Sequence, residues 1–161
     1  MLASALAAGI VLGWLLRGDL RRLATLEVKW WPLLLVGVAL RLVAEFIRAD
    51  AALLVVAFAS IAVVALRNVR RVPGSAFLAA GALMNGLVVA VNGGMPVDRG
   101  ALAIAAASPT PGLHVELTDQ TMFPFLADVI PVRLTHVVYS AGDLVLAVGG
   151  FLVPFRWVRH E

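Results

Sequence analysis

The feature that most constrains this chain is a series of five long apolar stretches, each close to the length of a helix that crosses a membrane. About 20 apolar residues, rising 1.5 Å each, cross the roughly 30 Å hydrocarbon layer of a bilayer. Of 161 residues, 61% are hydrophobic and only 14% are charged, which leaves too little polar surface for a soluble domain. The five stretches are residues 2–16, 31–47, 51–66, 75–91 and 134–155.

We therefore predict an integral membrane protein. Its fold class is all-α, a polytopic bundle of five transmembrane helices in a single membrane domain covering residues 1–161. The first stretch carries Gly9 and Gly13 four residues apart, a spacing that lets a neighbouring helix approach closely in lipid. Residues 93–133 are too many for a simple connecting turn between the last two spans, and we expect them to form a long extracytoplasmic loop.

The basic residues predict the orientation of the bundle. Nine of the 13 Lys and Arg residues follow the first, third and fifth spans, whereas three lie on the opposite side. Because cytoplasmic segments of membrane proteins are enriched in Lys and Arg, we predict the N-terminus outside and the C-terminus in the cytoplasm. The nine are Arg17, Arg21, Arg22, Lys29, Arg67, Arg70, Arg71, Arg156 and Arg159, and the three are Arg48, Arg99 and Arg133.

Two segments of the long loop are predicted to be ordered. Residues 98–107 are typical of a short helix with Asp98 as its N-cap, ended by a turn at Pro109 and Pro111. Residues 122–130 are apolar and aromatic, but too few to cross the bilayer. We expect both segments to lie at the outer membrane interface or to fold back over the bundle.

Three residues that are charged at neutral pH lie inside the predicted spans. Each costs roughly 2.5–3.5 kcal/mol on insertion scales unless it has a partner or lines a water-filled cavity. Arg41 and Asp143 fall near mid-depth, and Glu45 follows Arg41 by one helical turn. We predict a central ion pair between Arg41 and Asp143. The alternative partner of Arg41 is Glu45 on the same helix, although Arg before Glu is the weaker order for such a pair.

Helical spacing groups further polar residues with these three. Residues three, four or seven apart share a helix face, which places a polar stripe on each of the second, fourth and fifth spans. We expect the stripes to face one another, either locking helix packing or lining a cavity that opens outward. The candidate site consists of Arg41, Glu45, Asn85, Asn92, Asp128, His136, Ser140 and Asp143.

A backbone turn ends the fourth span abruptly. Two glycines free its backbone, and a proline prevents the helix from continuing. The turn is either a simple helix stop or a nest of backbone N–H groups that binds an anion or a lipid headgroup. Asp128 is expected to cap the fifth span or to reach this turn. The turn consists of Gly93, Gly94, Met95 and Pro96.

Composition and spacing disfavour other kinds of site. The chain has no cysteine, which excludes thiolate metal sites and iron–sulfur ligation. The acidic residues of the long loop, together with His114, match no metal motif, and neither a metal nor a cofactor is predicted. The basic residues mark span ends rather than a nucleic-acid surface, so the expected partners are the lipid bilayer and either another membrane protein or a second copy of this chain.

Three short motifs carry a resemblance to a known family. They are NGGMP at 92–96, FLADVIP at 125–131 and SAGD at 140–143. Together they resemble an uncharacterised family of small bacterial multi-span membrane proteins, a domain of unknown function, over nearly the whole chain. The resemblance implies a multi-pass protein of the bacterial plasma membrane, and it carries no activity. The residues that it marks as the family signature are Asn92, Asp128, Ser140 and Asp143.

Three functions are compatible with this pattern. The favoured one is a non-enzymatic binding or accessory protein of a larger assembly, because so small a bundle offers few groups for chemistry. The second is a small proton-coupled carrier that uses the ionisable residues of the spans, although residues 144–153 give no polar path to the cytoplasm. The third is an enzyme acting on lipid-linked groups at the outer leaflet, but Ser140 and His136 lack a nucleophile elbow.

Overall fold

The computed structural model describes residues 1–47 and 50–159 as a mostly helical molecule. Arg48, one of the residues used to predict the orientation, lies outside the described residues. The α-helices are α1 (Leu2–Leu15), α2 (Trp31–Ile47), α3 (Ala51–Asn68), α4 (Ser75–Asn92), α5 (Arg99–Ala105) and α6 (Ala141–Arg159). Five of them form a bundle, and the short α5 belongs to the connection between α4 and α6.

Three helices are long and apolar enough to span a membrane. These are α3, α4 and α6, with mean hydropathies of 2.1, 1.6 and 1.4. α1 is apolar but has 14 residues, and α2 has 17. The bounds of the first four helices agree with the predicted apolar stretches to within two residues. The molecule therefore has the helices of a membrane protein.

The prediction of a helix over residues 134–155 is wrong at its start. α6 begins at Ala141, because His136 has a left-handed backbone with φ of 52°, which interrupts a right-handed helix. Residues 137–139 form a strand instead. His136 therefore does not share a helix face with Ser140 and Asp143, as the spacing predicted.

The five long helices stand side by side in an open row. α1 packs on α6, α6 on α4, α4 on α3 and α3 on α2, whereas α1 and α2 share no extensive contact within the described residues. The contact between α1 and α6 depends on Gly9 and Gly13, since a Cβ on either would overlap Phe151 or Val158 of α6. The close packing predicted for this glycine pair is confirmed.

Hydrogen bonds tie the row together at the end where α1, α3 and α6 finish. The N–H of Asp19 donates to the carbonyl of Val158 at 2.9 Å, and the indole of Trp157 donates to the carbonyl of Arg22 at 2.9 Å. The basic residues that follow the first, third and fifth predicted spans gather here. We call this the basic end of the bundle.

The connection between α4 and α6 is a small folded unit, called here the cap (residues 93–140). It contains four strands: β1 (Met95–Val97), β2 (His114–Glu116), β3 (Ile130–Val132) and β4 (Val137–Tyr139). β1 pairs in parallel with β2, and β3 pairs antiparallel with β4. The molecule as a whole is mostly helical, as predicted, but the strands of the cap were not predicted from the sequence.

Side chains predicted from sequence hold the cap in place. The Asp98 carboxylate accepts a hydrogen bond from the N–H of Ala101 at 2.6 Å, which confirms the short helix and its N-cap. The amide of Asn92 exchanges two 2.9 Å hydrogen bonds with the backbone of Met122. The 3₁₀ turn Pro124–Leu126 contacts α4 and α6, so this segment folds back over the bundle.

Candidate functional site

A cavity of about 500 Å³ lies among the helices of the open row and extends beneath the cap. Most of its wall consists of apolar side chains from α1, α2, α3, α4 and α6. Towards the basic end it is lined by Leu26 and Val28, in a segment held by two 2.9 Å hydrogen bonds between Asn68 and the backbone of Lys29. Beneath the cap the cavity is lined by polar and charged side chains instead. The polar residues there, called the polar end, are Arg41, Glu45, Asn85, Thr110, His114, Asp128 and Asp143.

The structure brings most of the candidate residues to this cavity. Ser140 is fully buried beside the Asn85 side chain, Asn92 joins α4 to the cap, and His136 is exposed in the turn between β3 and β4. The candidate residues that line the cavity are Arg41, Glu45, Asn85, Asp128 and Asp143.

A hydrogen-bonded cluster joins α4 to the start of α6. The Oγ of Ser140 accepts from the N–H of Asp143, and the Asp143 carboxylate accepts from the N–H of Ser140, both at 3.1 Å. This reciprocal pair is a capping box, which satisfies two backbone donors at a helix N-terminus. Asn85 completes the cluster, donating to Asp143 at 2.9 Å and accepting from Ser140 at 3.0 Å. Asp143 therefore lies in the first turn of α6, not in the middle of a span.

The predicted ion pair between Arg41 and Asp143 is not formed in the described part of the chain. Arg41 is instead paired with Glu45 on its own helix, with an N–O distance of 3.1 Å. Their side chains are 39% and 57% exposed, so this pair is only partly removed from the surroundings. Asp143 is already held by Asn85 and by the backbone of Ser140, which explains why it needs no arginine. Arg41 and Asp143 nevertheless line the same cavity.

Asp128 is the most unusual group of the polar end. The residue is 6% exposed, and its Oδ1 is buried without a hydrogen-bond partner among the described residues. An unsatisfied buried acceptor costs on the order of 1–3 kcal/mol, so such atoms are uncommon outside functional sites. The backbone of Asp128 is fixed by β1, because its N–H donates to the carbonyl of Pro96 at 2.8 Å and its carbonyl accepts from Asp98 at 3.0 Å. Asp128 thus pairs with β1 through an isolated parallel bridge to Val97, next to the glycine turn, and does not cap α6.

His114 lies beside Asp128, with 3.8 Å between its Nε2 and the Oδ2 of Asp128. The Nδ1 of His114 lies 3.0 Å from the N–H of Thr110 and 3.3 Å from its carbonyl oxygen, so it accepts from the first or donates to the second, depending on the tautomer of the ring. The 3.8 Å separation is too long for a hydrogen bond. The two groups therefore leave polar atoms available to a third partner.

Burial perturbs both groups towards their neutral forms. Burial raises the pKa of Asp128 to about 8; the negative charge of Asp143 adds to this rise, and the positive charge of Arg41 opposes it. Burial also lowers the pKa of His114, and the charge of Arg41 adds to that effect, while the Thr110 backbone and the charge of Glu45 oppose it. Near neutral pH, a protonated carboxyl group and an uncharged imidazole therefore face each other.

The glycine turn after α4 is a helix stop and not an anion nest. Gly93 has a left-handed backbone with φ of 70°, which ends the helix. The N–H groups of Gly93 and Gly94 both donate to the carbonyl of Val89, and that of Met95 donates to Leu113 at 2.7 Å. The donors of the turn are therefore used within the protein.

Sequence reasoning missed Thr110 and His114 as members of the site. His114 lies in β2, whose parallel pairing with β1 places it opposite Met95 and next to the cavity. The available signal was the cluster of Pro109, Pro111 and Gly112, which turns the chain back after α5. That cluster predicts a turn but gives no direction for the following strand.

The arrangement suits binding of an amphiphile better than nucleophilic chemistry. The Ser140 hydroxyl already donates to Asn85 and accepts from Asp143. The open polar groups are instead those of Asp128 and His114, at one end of a long apolar space. A molecule with a hydrocarbon chain and a polar headgroup matches this division of the cavity.

Comparisons with known proteins give a family but no activity. A sequence model of a family of unknown function, DUF5317, matches residues 25–155. An uncharacterised protein of Thermotoga maritima is 36% identical over 87 residues, which cover 52% of this chain and 51% of the relative. The matched part thus spans about half of that relative's length. No solved structure matches the chain.

Proposed function

This chain belongs to DUF5317, a family of unknown function, and we propose from its geometry that it is a five-span membrane protein that binds an amphiphilic lipid. The hydrocarbon chain of the lipid occupies the apolar cavity, and its headgroup lies at the polar end beneath the cap. The observation that carries the proposal is the cavity itself, about 500 Å³ in volume and divided into a long apolar part and a polar end. Ligand pockets in proteins have volumes of about 300–1,000 Å³.

The proposed topology places the cap outside the cell and the basic end in the cytoplasm. Three helices are long enough to span a membrane, and we propose that α1 and α2 cross it as well, with local thinning of the bilayer at the shorter α1. The gathering of the basic residues at one end supports this orientation through the positive-inside rule. A bacterial plasma membrane is the proposed location.

The cavity is long enough for an extended hydrocarbon chain. Both Asn85 and Ser75 line it, ten residues apart on α4, which corresponds to about 15 Å along a helix. On α6 the lining extends from Asp143 to Val153, again ten residues. A chain threaded along these helices would exchange lipid neighbours for apolar side chains while its headgroup stays at the polar end.

A lipid can reach the cavity sideways from the bilayer. α1 and α2 are the two ends of the open row, and both contribute lining residues, including Leu6 from α1 and Leu34 from α2. Because these two helices do not pack extensively on each other, the gap between them leads from the membrane to the cavity. Binding from the outer half of the bilayer then requires no passage of the headgroup through the hydrocarbon layer.

The carrier and enzyme functions are less well supported. A carrier that moves protons needs polar groups along the cavity, but the lining from Leu146 to Val153 on α6 is apolar or glycine. An enzyme acting on lipid-linked groups needs an activated nucleophile, and the Ser140 hydroxyl is occupied by the capping box. Binding uses the open groups of the polar end without either requirement.

A tryptophan placed in the cavity tests the proposal. Val38 lines the cavity on α2 and is 41% exposed, so Val38→Trp fills space there without disturbing the packed core. We expect the lipid that co-purifies with the protein in mild detergent, measured by mass spectrometry per mole of protein, to fall severalfold. Val36→Trp, on the same helix but outside the cavity lining, is the matched control and should retain the lipid. Equal lipid content in both variants would contradict the proposal.

A further inference from the structure

We infer that the polar end selects an amphiphile whose headgroup carries a protonated amine over one whose headgroup is an anion. This inference deepens the proposed function and rests on it. It follows from which hydrogen-bonding groups of the polar end are still open, and from the sign of the charge that surrounds them.

The open hydrogen-bonding group that is most deeply buried is the carboxyl group of Asp128. Asn85, Ser140 and Asp143 satisfy one another, and Arg41 is paired with Glu45. The side chain of Asp128 makes no hydrogen bond with any described residue, and its Oδ1 is fully buried. A headgroup that donates hydrogen bonds can satisfy this carboxyl group in either protonation state, whereas one that only accepts them can satisfy only the O–H of the protonated form and nothing in the ionised form.

The charges at the polar end also favour a cation. Among the described residues that line it, three carboxyl groups (Glu45, Asp128 and Asp143) stand against one guanidinium, that of Arg41. With Asp128 protonated the lining still has one negative charge in excess, and with Asp128 ionised it has two. A phosphate or carboxylate headgroup would be repelled by this excess, and an ammonium group would be attracted.

An ammonium group placed beside Asp128 would also change the protonation of that residue. A nearby positive charge favours the ionised carboxylate, so Asp128 would give up its proton and form a charge-assisted hydrogen bond with the amine. The Nε2 of His114 lies 3.8 Å from the Oδ2 of the same carboxyl group. The shared chemistry is a primary ammonium, which either a long-chain amine or a single-chain phosphoethanolamine lipid can supply.

The test compares probes that share one C16 chain and differ in headgroup: hexadecylammonium, hexadecanol, hexadecanoate, hexadecyl phosphate and a single-chain phosphoethanolamine lipid. Affinities for the full chain in nanodiscs are measured by native mass spectrometry. We expect the ammonium to bind at least about tenfold more tightly than either anion, equal to about 1.4 kcal/mol, with the alcohol between them. If the phosphoethanolamine lipid binds as tightly as the amine, the ammonium comes from a phospholipid; if it binds more weakly, a simple long-chain amine is the ligand.

Two variants assign the selectivity to named residues. Asp128→Asn keeps the shape of the side chain but removes its charge, and we expect it to lower the ammonium affinity about tenfold while the affinity for hexadecanol stays within about twofold. Asp119→Asn, at an exposed acidic residue of the cap outside the cavity lining, is the control and should change neither. Should Asp128→Asn fail to fold, Glu45→Gln at the half-exposed end of α2 provides the same readout, with weaker ammonium binding and stronger binding of hexadecyl phosphate.

The outcomes separate this inference from the proposed function. If no C16 probe binds, including the alcohol, and Val38→Trp has no effect, the proposed function fails. If the alcohol binds and Val38→Trp blocks it, but the anions bind as tightly as the ammonium, only the headgroup inference is overturned. Tightest binding of hexadecyl phosphate would likewise overturn it and would assign the headgroup contact to Arg41.

Discussion

At the scale of single residues, Asp128 makes a measurable contribution to the pH dependence of stability. The pKa of its carboxyl group is raised to about 8 in the folded protein, against 3.8 for an ordinary aspartate. Between these values the folded state binds a proton that the unfolded state has lost, so stability decreases as the pH rises towards 8 and is constant above it. The charged or titratable groups that influence or face Asp128 are Asp143, Arg41 and His114.

We therefore predict that Asp128→Asn flattens the stability profile. Between pH 7 and 8, where His114 is largely neutral in both states, the unfolding free energy of the native protein should decrease by up to about 1.4 kcal/mol per pH unit through this group. The variant should lose that slope. The measurement is fluorescence-monitored denaturation in bicelles over this range, with Asp119→Asn as the control. An unchanged slope in Asp128→Asn would show that the carboxyl group is already ionised at pH 7.

At this scale the sequence predicted only that polar residues of the second, fourth and fifth spans face one another. In the structure Asn85 of α4 contacts Ser140 and Asp143 at the start of α6. The partner of Arg41 could not be predicted from the sequence, because Glu45 on the same helix and Asp143 on another helix are both carboxylates. His114 carried no signal, since its place beside the cavity depends on a sheet pairing that joins two distant parts of the cap.

At the scale of elements, the contact between α1 and α6 should be the most sensitive to an added side chain. A Cβ at Gly9 would lie 2.3 Å from the carbonyl oxygen of Phe151, which is backbone and cannot rotate away. We expect Gly9→Leu to destabilise the protein by about 1–3 kcal/mol through overpacking. Ala8→Leu, on the exposed side of the same turn, should be nearly neutral. Denaturation of the two variants in bicelles measures the difference, and equal stabilities would mean that α1 does not pack on α6 in the membrane.

The elements also show where apolar patterning is informative. Long helices are predictable from continuous apolar runs, and α1 to α4 end within two residues of their predicted bounds. The strands of the cap have three residues each, too few for an alternating pattern to appear. The start of α6 was misplaced for a related reason, because residues 137–139 are apolar and equally suited to a strand or to a helix. Pairing with β3 decides between them.

At the scale of the whole molecule, the proposed orientation predicts which surfaces lie outside the cell and which lie in the cytoplasm. The chain has no cysteine, so single introduced cysteines report their location without background. Gln120→Cys lies exposed in the cap, and Arg70→Cys lies exposed at the basic end. A membrane-impermeant maleimide added to intact cells should label the first strongly and the second only after permeabilisation. Labelling of both from outside would contradict the topology.

The open row has a consequence for biosynthesis. α1 precedes the other four helices of the bundle in the sequence, yet it runs parallel to and packs on α6, which follows them, while α2 stands at the far end of the row. During translation the face of α1 that carries Gly9 and Gly13 therefore lacks its partner until α6 has been synthesised. We therefore expect the contact between α1 and α6 to form only after the whole bundle has been synthesised.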